Sequence, residues 1–422
     1  MTNSNDSGLT GATTRRGFLG AALGAALAPR ALASFPGAPA AGEKFLVIVN
    51  LRGGCDGLNL AIPMRRVNYY RRRPSLGILP GQAISLNTGP APNDEYGLHP
   101  SFLRLGQLYA DGQLALANLV GYPQPDLSHA ESTEIWARGL RTLPANARES
   151  GWIARYKDRY AREELSVVGL GTGRTLDFQG GESSPLVLGQ LGSLGFAQDP
   201  RYGTNSRFRN QVIRDVIANY QPAGATVDVK AALEQAYGQI ERVNQVVQNY
   251  RSTVTYPQTG LAQRLREVAM LTQADVGVRV YYAATGGYDT HANQGGVQGQ
   301  QAGLFVTLDR ALGALADDLK AVGAWNRCVV AVISEFGRRN DENGSLGTDH
   351  GSSNVVLVLG GLVRGGVYGR PHTEDDLDLA HTPYEIDFRS IYKEILGKHL
   401  GVDPDPLFPE AYPRNATLGL LP

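Results

Sequence analysis

Short apolar runs recur along the chain, and each ends in a polar segment punctuated by glycine. Glu43–Leu51 (EKFLVIVNL), Gln113–Val120 (QLALANLV), Ser166–Leu170, Pro185–Leu188, Val276–Ala284 (VGVRVYYAA), Cys328–Ile333 and Val355–Leu359 are the clearest. They are too short for helices, and the longer ones are rich in β-branched residues, which predicts strands buried on two faces of a sheet. Between them the apolar spacing changes to three and four. Phe102, Leu105 and Leu108 mark a helix over Ser101–Ala110, and a second helix opens near Ser128 and carries Ile135 and Trp136. Gly151–Tyr160, the stripe Leu304, Leu308, Leu312, Leu315, Leu319 and Val322, and the closing segment Phe388–Leu400 read as further helices. Leu362–Tyr368 reads as a glycine-rich hairpin. Strands alternating with helices predict an α/β fold with a doubly wound, mainly parallel sheet. From about 193 to 273 strands are absent from the pattern. There Phe208, Val212, Ile213, Val216 and Ile217 share a helical face, as do Leu233, Ala236, Ile240, Val243 and Val247. Leu261, Leu265, Val268, Ala269 and Thr272 continue it, so this stretch is expected to be a helical insertion.

The first 33 residues depart from that pattern. Thr14-Arg15-Arg16-Gly17-Phe18-Leu19 leads into the Ala/Gly/Leu stretch Gly20–Ala28 and then Ala31-Leu32-Ala33, a small-x-small cleavage site. That order reads as a twin-arginine signal peptide, 1–33, and predicts a mature domain of 34–422 in the periplasm or outside the cell. Forty basic and forty acidic residues cancel, which argues against a nucleic-acid-binding surface. The run Arg71-Arg72-Arg73 reads as a solvated basic face. Two cysteines in an exported chain invite a disulfide. However, Cys55 follows one strand and Cys328 begins another, so parallel strands would hold them at opposite ends as free thiols.

In open α/β sheets ligands bind beyond the carboxyl ends of the strands, and the polar residues collect there. Arg52-Gly53-Gly54-Cys55-Asp56 follows the first strand. Ser128-His129 opens a helix soon after the second, with Glu131 placed to complete a capping box. A serine there lies beside free backbone N–H groups and the positive end of the helix dipole, where a nucleophile toward phosphate or sulfate is at home. Asp289 and His291, two apart on an extended chain, point the same way and can share a metal. Glu335 and Arg338 follow the strand Cys328–Ile333, and Asp349 and His350 precede Val355–Leu359. Ser128 and His129, with Arg52 or Arg338 to neutralise an oxyanion, form a hydrolytic set beside the candidate metal ligands Asp56, Asp289, His291, Glu335, Asp349 and His350. Oxygen and imidazole donors suit a divalent ion, zinc foremost, with manganese or calcium as the other candidates.

The segments LRGGCDGLN, VGYPQPDLSHAESTEIW, GGYDTHANQ, and SEFGRR followed by GTDHGSSNVVLVLGG together resemble the bacterial family termed domain of unknown function 1501. The resemblance spans nearly all of the mature chain. That family is similar in fold to the alkaline phosphatase and sulfatase superfamily, whose members use two metals and a Ser, Thr or modified Cys nucleophile. The resemblance implies Ser128 as nucleophile. It implies one metal on Asp289, His291 and His350, and another on Glu335, Asp56 and Ser128. Where the superfamily carries an Asp-His pair after the strand, this chain has Glu335-Phe336. The expected activity is hydrolysis of a small anionic phosphate or sulfate ester, after passage through the twin-arginine export machinery. The alternative is a non-catalytic binding or assembly protein with a partner encoded nearby.

Overall fold

The structure, a computed structural model, describes residues 42–140, 150–173, 175–191, 206–222, 226–408 and 417–422. The twin-arginine segment lies outside the described residues, as do the first residues of the expected insertion.

Among the described residues the apolar runs form one nine-stranded sheet. Its strands are β1 (Phe45–Leu51), β2 (Leu114–Gly121), β3 (Val167–Leu170), β4 (Leu186–Leu188), β5 (Val280–Thr285), β6 (Cys328–Ile333), β7 (Asn354–Leu359), β8 (Gly366–Tyr368) and β9 (Ile386–Asp387). The order across the sheet is β8-β2-β7-β6-β1-β5-β3-β4, with β9 also paired to β2. β1 sits between β6 and β5 and is parallel to both, with Val49 opposite Val332 and Ala283. Both of its faces are buried, which explains why it reads as a continuous apolar run.

β7 is the exception in direction. It runs antiparallel to β6 and to β2, so its amino end lies at the edge where the other strands end. β8 is not half of a hairpin: it runs parallel to β2, with Val367 opposite Leu116. The expected Leu362–Tyr368 hairpin is therefore corrected to a turn and a short parallel edge strand. Its glycines serve the turn and leave too few residues for a second strand.

The longer helices are α1 (Leu103–Ala110), α2 (His129–Arg138), α3 (Trp152–Tyr160), α4 (Ser206–Asn219), α5 (Thr226–Asn249), α6 (Gly260–Gln273), α7 (Gln300–Ala321) and α8 (Phe388–Glu394). The leucine stripe of α7 is buried at Leu308, Leu312, Leu315 and Leu319, while Val322 just beyond its end is exposed. Trp136 of α2 stacks on Phe388 of α8 with ring centroids 4.3 Å apart. α6 packs against α7 and β5, whereas α4 and α5 as far as Gln245 fall in a separate compact unit. Cys55 and Cys328 are free and buried, as the parallel pairing of β1 and β6 requires. Among the described residues no helix is long and apolar enough to cross a membrane.

Candidate metal centre

The strand ends deliver their polar residues to one place. β1 turns through Arg52-Gly53-Gly54, β5 runs out to Asp289, β6 to Glu335, and the segment after β2 reaches His129 at the start of α2. His350 arrives from the opposite direction because β7 is antiparallel. A two-residue antiparallel ladder places His350 directly opposite Arg338. Gly53 has φ +118°, and a Cβ there would strike the Asp289 backbone, so the glycine lets β1's turn lie against the β5 loop.

Asp289 is the hub. Its Oδ1 accepts from the Arg338 guanidinium at 2.7 Å and lies 2.9 Å from His291 Nε2 and 3.1 Å from His350 Nε2. His129 Nε2 is 3.4 Å from Oδ2. Partial burial pushes the Asp289 carboxyl up, but the Arg338 and His350 hydrogen bonds outweigh it and hold the group at about 2. One ligand atom from each of His129, Asp289 and His350 falls within 4.8 Å of the others.

The far side of each ring is fixed by an acceptor. His350 Nδ1 donates to the Leu127 carbonyl at 2.8 Å, and His129 Nδ1 meets Glu335 Oε1 at 2.9 Å. His291 Nδ1 lies 3.2 Å from Asp349 Oδ1. A carbonyl or carboxylate cannot donate, so each ring donates through Nδ1, which leaves Nε2 as the atom that faces Asp289, where a cation could take the place of a proton. The Nε2 atoms of His291 and His350 face each other at 3.0 Å. Two lone pairs at that distance repel unless a proton or a cation lies between them. Imidazoles tied through Nδ1 with Nε2 turned inward are how proteins prepare metal ligands.

The sequence-predicted residues divide by their contacts. Asp289 and His350 sit in the converging set with His291 beside them, and His129, first read as a catalytic assistant, joins them. Glu335 lies behind: Oε1 accepts from the Gly53 amide and His129, and Oε2 from the Ser334 hydroxyl at 3.2 Å. Asp349 orients His291 and accepts from Asn343 Nδ2 at 3.0 Å, a bond that holds its carboxyl below the usual range.

Asp56 is elsewhere. It is fully buried and accepts from Arg73 Nη1 at 2.6 Å and from Gln294 Nε2 at 2.7 Å. The expected ligand role for Asp56 is thus corrected to one half of a buried ion pair. Arg73 is its partner, not a member of a solvated face; only Arg71 and Arg72 reach the surface acids Asp341 and Asp378.

Arg338 also departs from expectation. Its side chain is buried and donates to the carbonyls of Gly53, Gly54, Tyr288 and Thr348 as well as to Asp289. Those contacts leave it positioning the hub, and an oxyanion clamp has to be sought elsewhere. Ser128 caps no backbone amide, so the expected capping box with Glu131 does not form. Its exposed side chain stands at the start of α2, next to Leu127, whose φ is +64° and whose carbonyl holds His350.

Phe336 stacks obliquely on both His350 and His129, with centroids 4.4 and 4.9 Å away. The sequence marks it only as a residue that cannot ligate. Its role as a wall for two imidazoles follows from the ladder at Gly337–Arg338, which no local pattern announces.

A family model described as protein of unknown function (DUF1501) matches residues 117–419. No curated protein matches the chain in sequence. Among solved structures it is similar to the C-terminal periplasmic domain of EcEptC from Escherichia coli in complex with Zn, at 10% identity, 77% of this chain, 75% of that one and a TM-score of 0.34. It is similar to the PsFucS1 sulfatase from Pseudoalteromonas sp., at 12% identity, 79% and 66% coverage and a TM-score of 0.32. It is also similar to a protein in the alkaline phosphatase superfamily from Vibrio parahaemolyticus, at 9% identity, 80% and 65% coverage and a TM-score of 0.30.

Proposed function

The chain belongs to the DUF1501 family, and we propose that it is a metal-dependent hydrolase of phosphate or sulfate esters, with Ser128 as the nucleophile. The observation that carries this reading is the common setting of His129, His291 and His350. Each is tied through Nδ1 to an acceptor and turns Nε2 toward Asp289. Of the seven histidines in the chain, these are the ones so arranged among the described residues. His99 and His399, by contrast, direct Nε2 to backbone carbonyls, and His372 meets a tyrosine hydroxyl through Nδ1.

The donor set fits a divalent ion: His129, Asp289 and His350 would hold it, with His291 beside them. Imidazole nitrogens with one carboxylate favour zinc. When bound, the ion supplies positive charge that acidifies a neighbouring hydroxyl and stabilises charge building on the ester oxygens. The rest falls to the chain itself. Glu335 and the Leu127 carbonyl hold the imidazoles, and Arg338 holds Asp289. Ser128 stands one residue from the Leu127 carbonyl that fixes His350, with a hydroxyl not spent on capping. Its Oγ bonds to phosphorus or sulfur as the ester oxygen departs, taking up the serine proton. Water then cleaves the seryl ester and restores the hydroxyl. The amino-terminal segment supports export by the twin-arginine route, so the substrate would be met outside the cytoplasm.

Metal analysis and ester cleavage by the purified full chain test this reading together. Ser128→Ala is expected to keep zinc and to lose cleavage of 4-nitrophenyl phosphate and sulfate by at least about a hundredfold. His350→Ala is expected to lose both. A wild-type protein that takes up no zinc or manganese, or a Ser128→Ala variant as active as wild type, overturns the assignment.

A further inference from the structure

On the other side of β1's turn lie two arginines, Arg52, which the sequence offered as an oxyanion clamp, and Arg264, which no expected site included. Arg52 is the first residue past β1, next to the Gly53 whose amide holds Glu335. Its side chain is exposed and turns toward β5 and β3, where it meets the Tyr282 hydroxyl and the field of Asp177. Arg264 reaches the same edge from α6, donating Nη1 to the carbonyl of Ala284 near the end of β5. Its guanidinium lies on Gly171, just past β3, where φ is +59° and an added Cβ would overlap it. A glycine at that strand end leaves the space this side chain occupies.

Among the described residues neither guanidinium forms an ion pair of the kind that Asp56 forms with Arg73. Asp177 is buried and tied to Thr175 and Tyr282. Glu267 accepts from the Leu191 amide at 2.7 Å. Burial and the like charge of Arg52 lower the pKa of Arg264, against the opposing effect of Glu267. Two guanidiniums on successive residues of one strand end, Arg52 with its amide on the Thr285 carbonyl and Arg264 on that of Ala284, are a site for an anion with several oxygens.

We propose that Arg52 and Arg264 form an anion subsite on the β5/β3 side of the metal centre, taking a second negatively charged group on the part of the substrate that is not transferred. The preferred substrates are then esters carrying two anionic groups, such as bisphosphates or multiply sulfated sugars, over esters carrying one. Arg52 is a specificity residue, and Arg264 supplies the second guanidinium from a fixed position. The assignment rests on the hydrolase reading, because it names which esters that centre receives.

Calorimetric binding to the zinc-supplemented full chain tests it, with glucose 6-phosphate and glucose 1,6-bisphosphate as probes. The wild type is expected to bind the bisphosphate at least about tenfold more tightly than the monophosphate. The readout is the ratio of the two affinities. Arg52→Gln is expected to bring it below about threefold, and Arg264→Lys, which keeps a charge but shortens the fork, to reduce it less. Equal affinities in the wild type overturn the subsite while leaving the hydrolase reading intact, and so does a tenfold ratio that survives Arg52→Gln. Failure of both sugars to bind, in a protein that also takes up no metal, overturns the two together.

Discussion

Arg73 and Asp56 show how far one residue's role depends on partners distant in the chain. Both side chains are fully buried, and the guanidinium also donates to Asn59 Oδ1 at 3.0 Å and to the carbonyls of Asn340 and Arg339. Near a strand's carboxyl end an aspartate reads equally well as a ligand or as a turn former, and the third arginine of a basic run reads as solvated. Only the path of Val67–Arg72, a short helix that folds back under β1's turn, brings the two together. Breaking a buried ion pair from one side leaves a charge without compensation, at a cost of roughly 3–5 kcal/mol. Arg73→Met is therefore expected to lower the unfolding free energy by about that amount, measured in urea. Asp56→Asn is expected to destabilise the fold as well, yet to keep the wild-type zinc stoichiometry. Zinc loss in a folded Asp56→Asn protein would return Asp56 to the ligand set.

At the scale of elements, the strands were the most legible part of the chain. β1, β2, β5, β6 and β7 fall within a few residues of the apolar runs, because a strand buried on both faces writes its boundaries in composition. Strand direction was not written there. A parallel β7 would begin at the far edge of the sheet and carry His350 away from Asp289; the antiparallel pairing keeps it at the site. The loop contacts were equally hidden, since they depend on one turn lying on another. Gly54, with φ +68°, shows this: a Cβ there would overlap the Phe336 ring, which in turn walls in His129 and His350. Gly54→Ala is expected to cost about 1–3 kcal/mol through strain and overpacking. It should also weaken zinc binding about tenfold by displacing the ring against which the ligands rest. Adding Phe336→Leu to Gly54→Ala is expected to recover part of the melting temperature but not the zinc affinity. Recovery of both would mean that the ring only fills space.

Over the whole molecule, the histidines outside the centre tie the fold to pH. His399 is buried between β1 and β6, with Nε2 bonded to the carbonyls of Phe45 at 3.0 Å and Arg327 at 3.1 Å. His372 is buried against Tyr96, whose hydroxyl lies 2.7 Å from its Nδ1. Burial lowers both to about 4, so each stays neutral in the folded chain while the unfolded chain takes up a proton near the ordinary value. Between those two values the unfolded state binds more protons, and stability rises with pH. The contribution is fully present above about pH 6.5 and is lost progressively as pH falls toward 4. Each histidine adds a slope on the order of 1 kcal/mol per pH unit within that window. Urea unfolding from pH 7.5 to 4.5 is expected to show a steady loss of stability. His399→Gln, which retains an N–H donor without a titrating ring, is expected to flatten the slope by about one proton while lowering stability at neutral pH. Metal lost on acidification destabilises by mass action and would add to the same trend, so the series belongs in a chelator, where the two histidines act without the centre. An unchanged slope in His399→Gln would mean that its ring stays hydrated in solution and that the sheet's amino edge is more open than the structure shows.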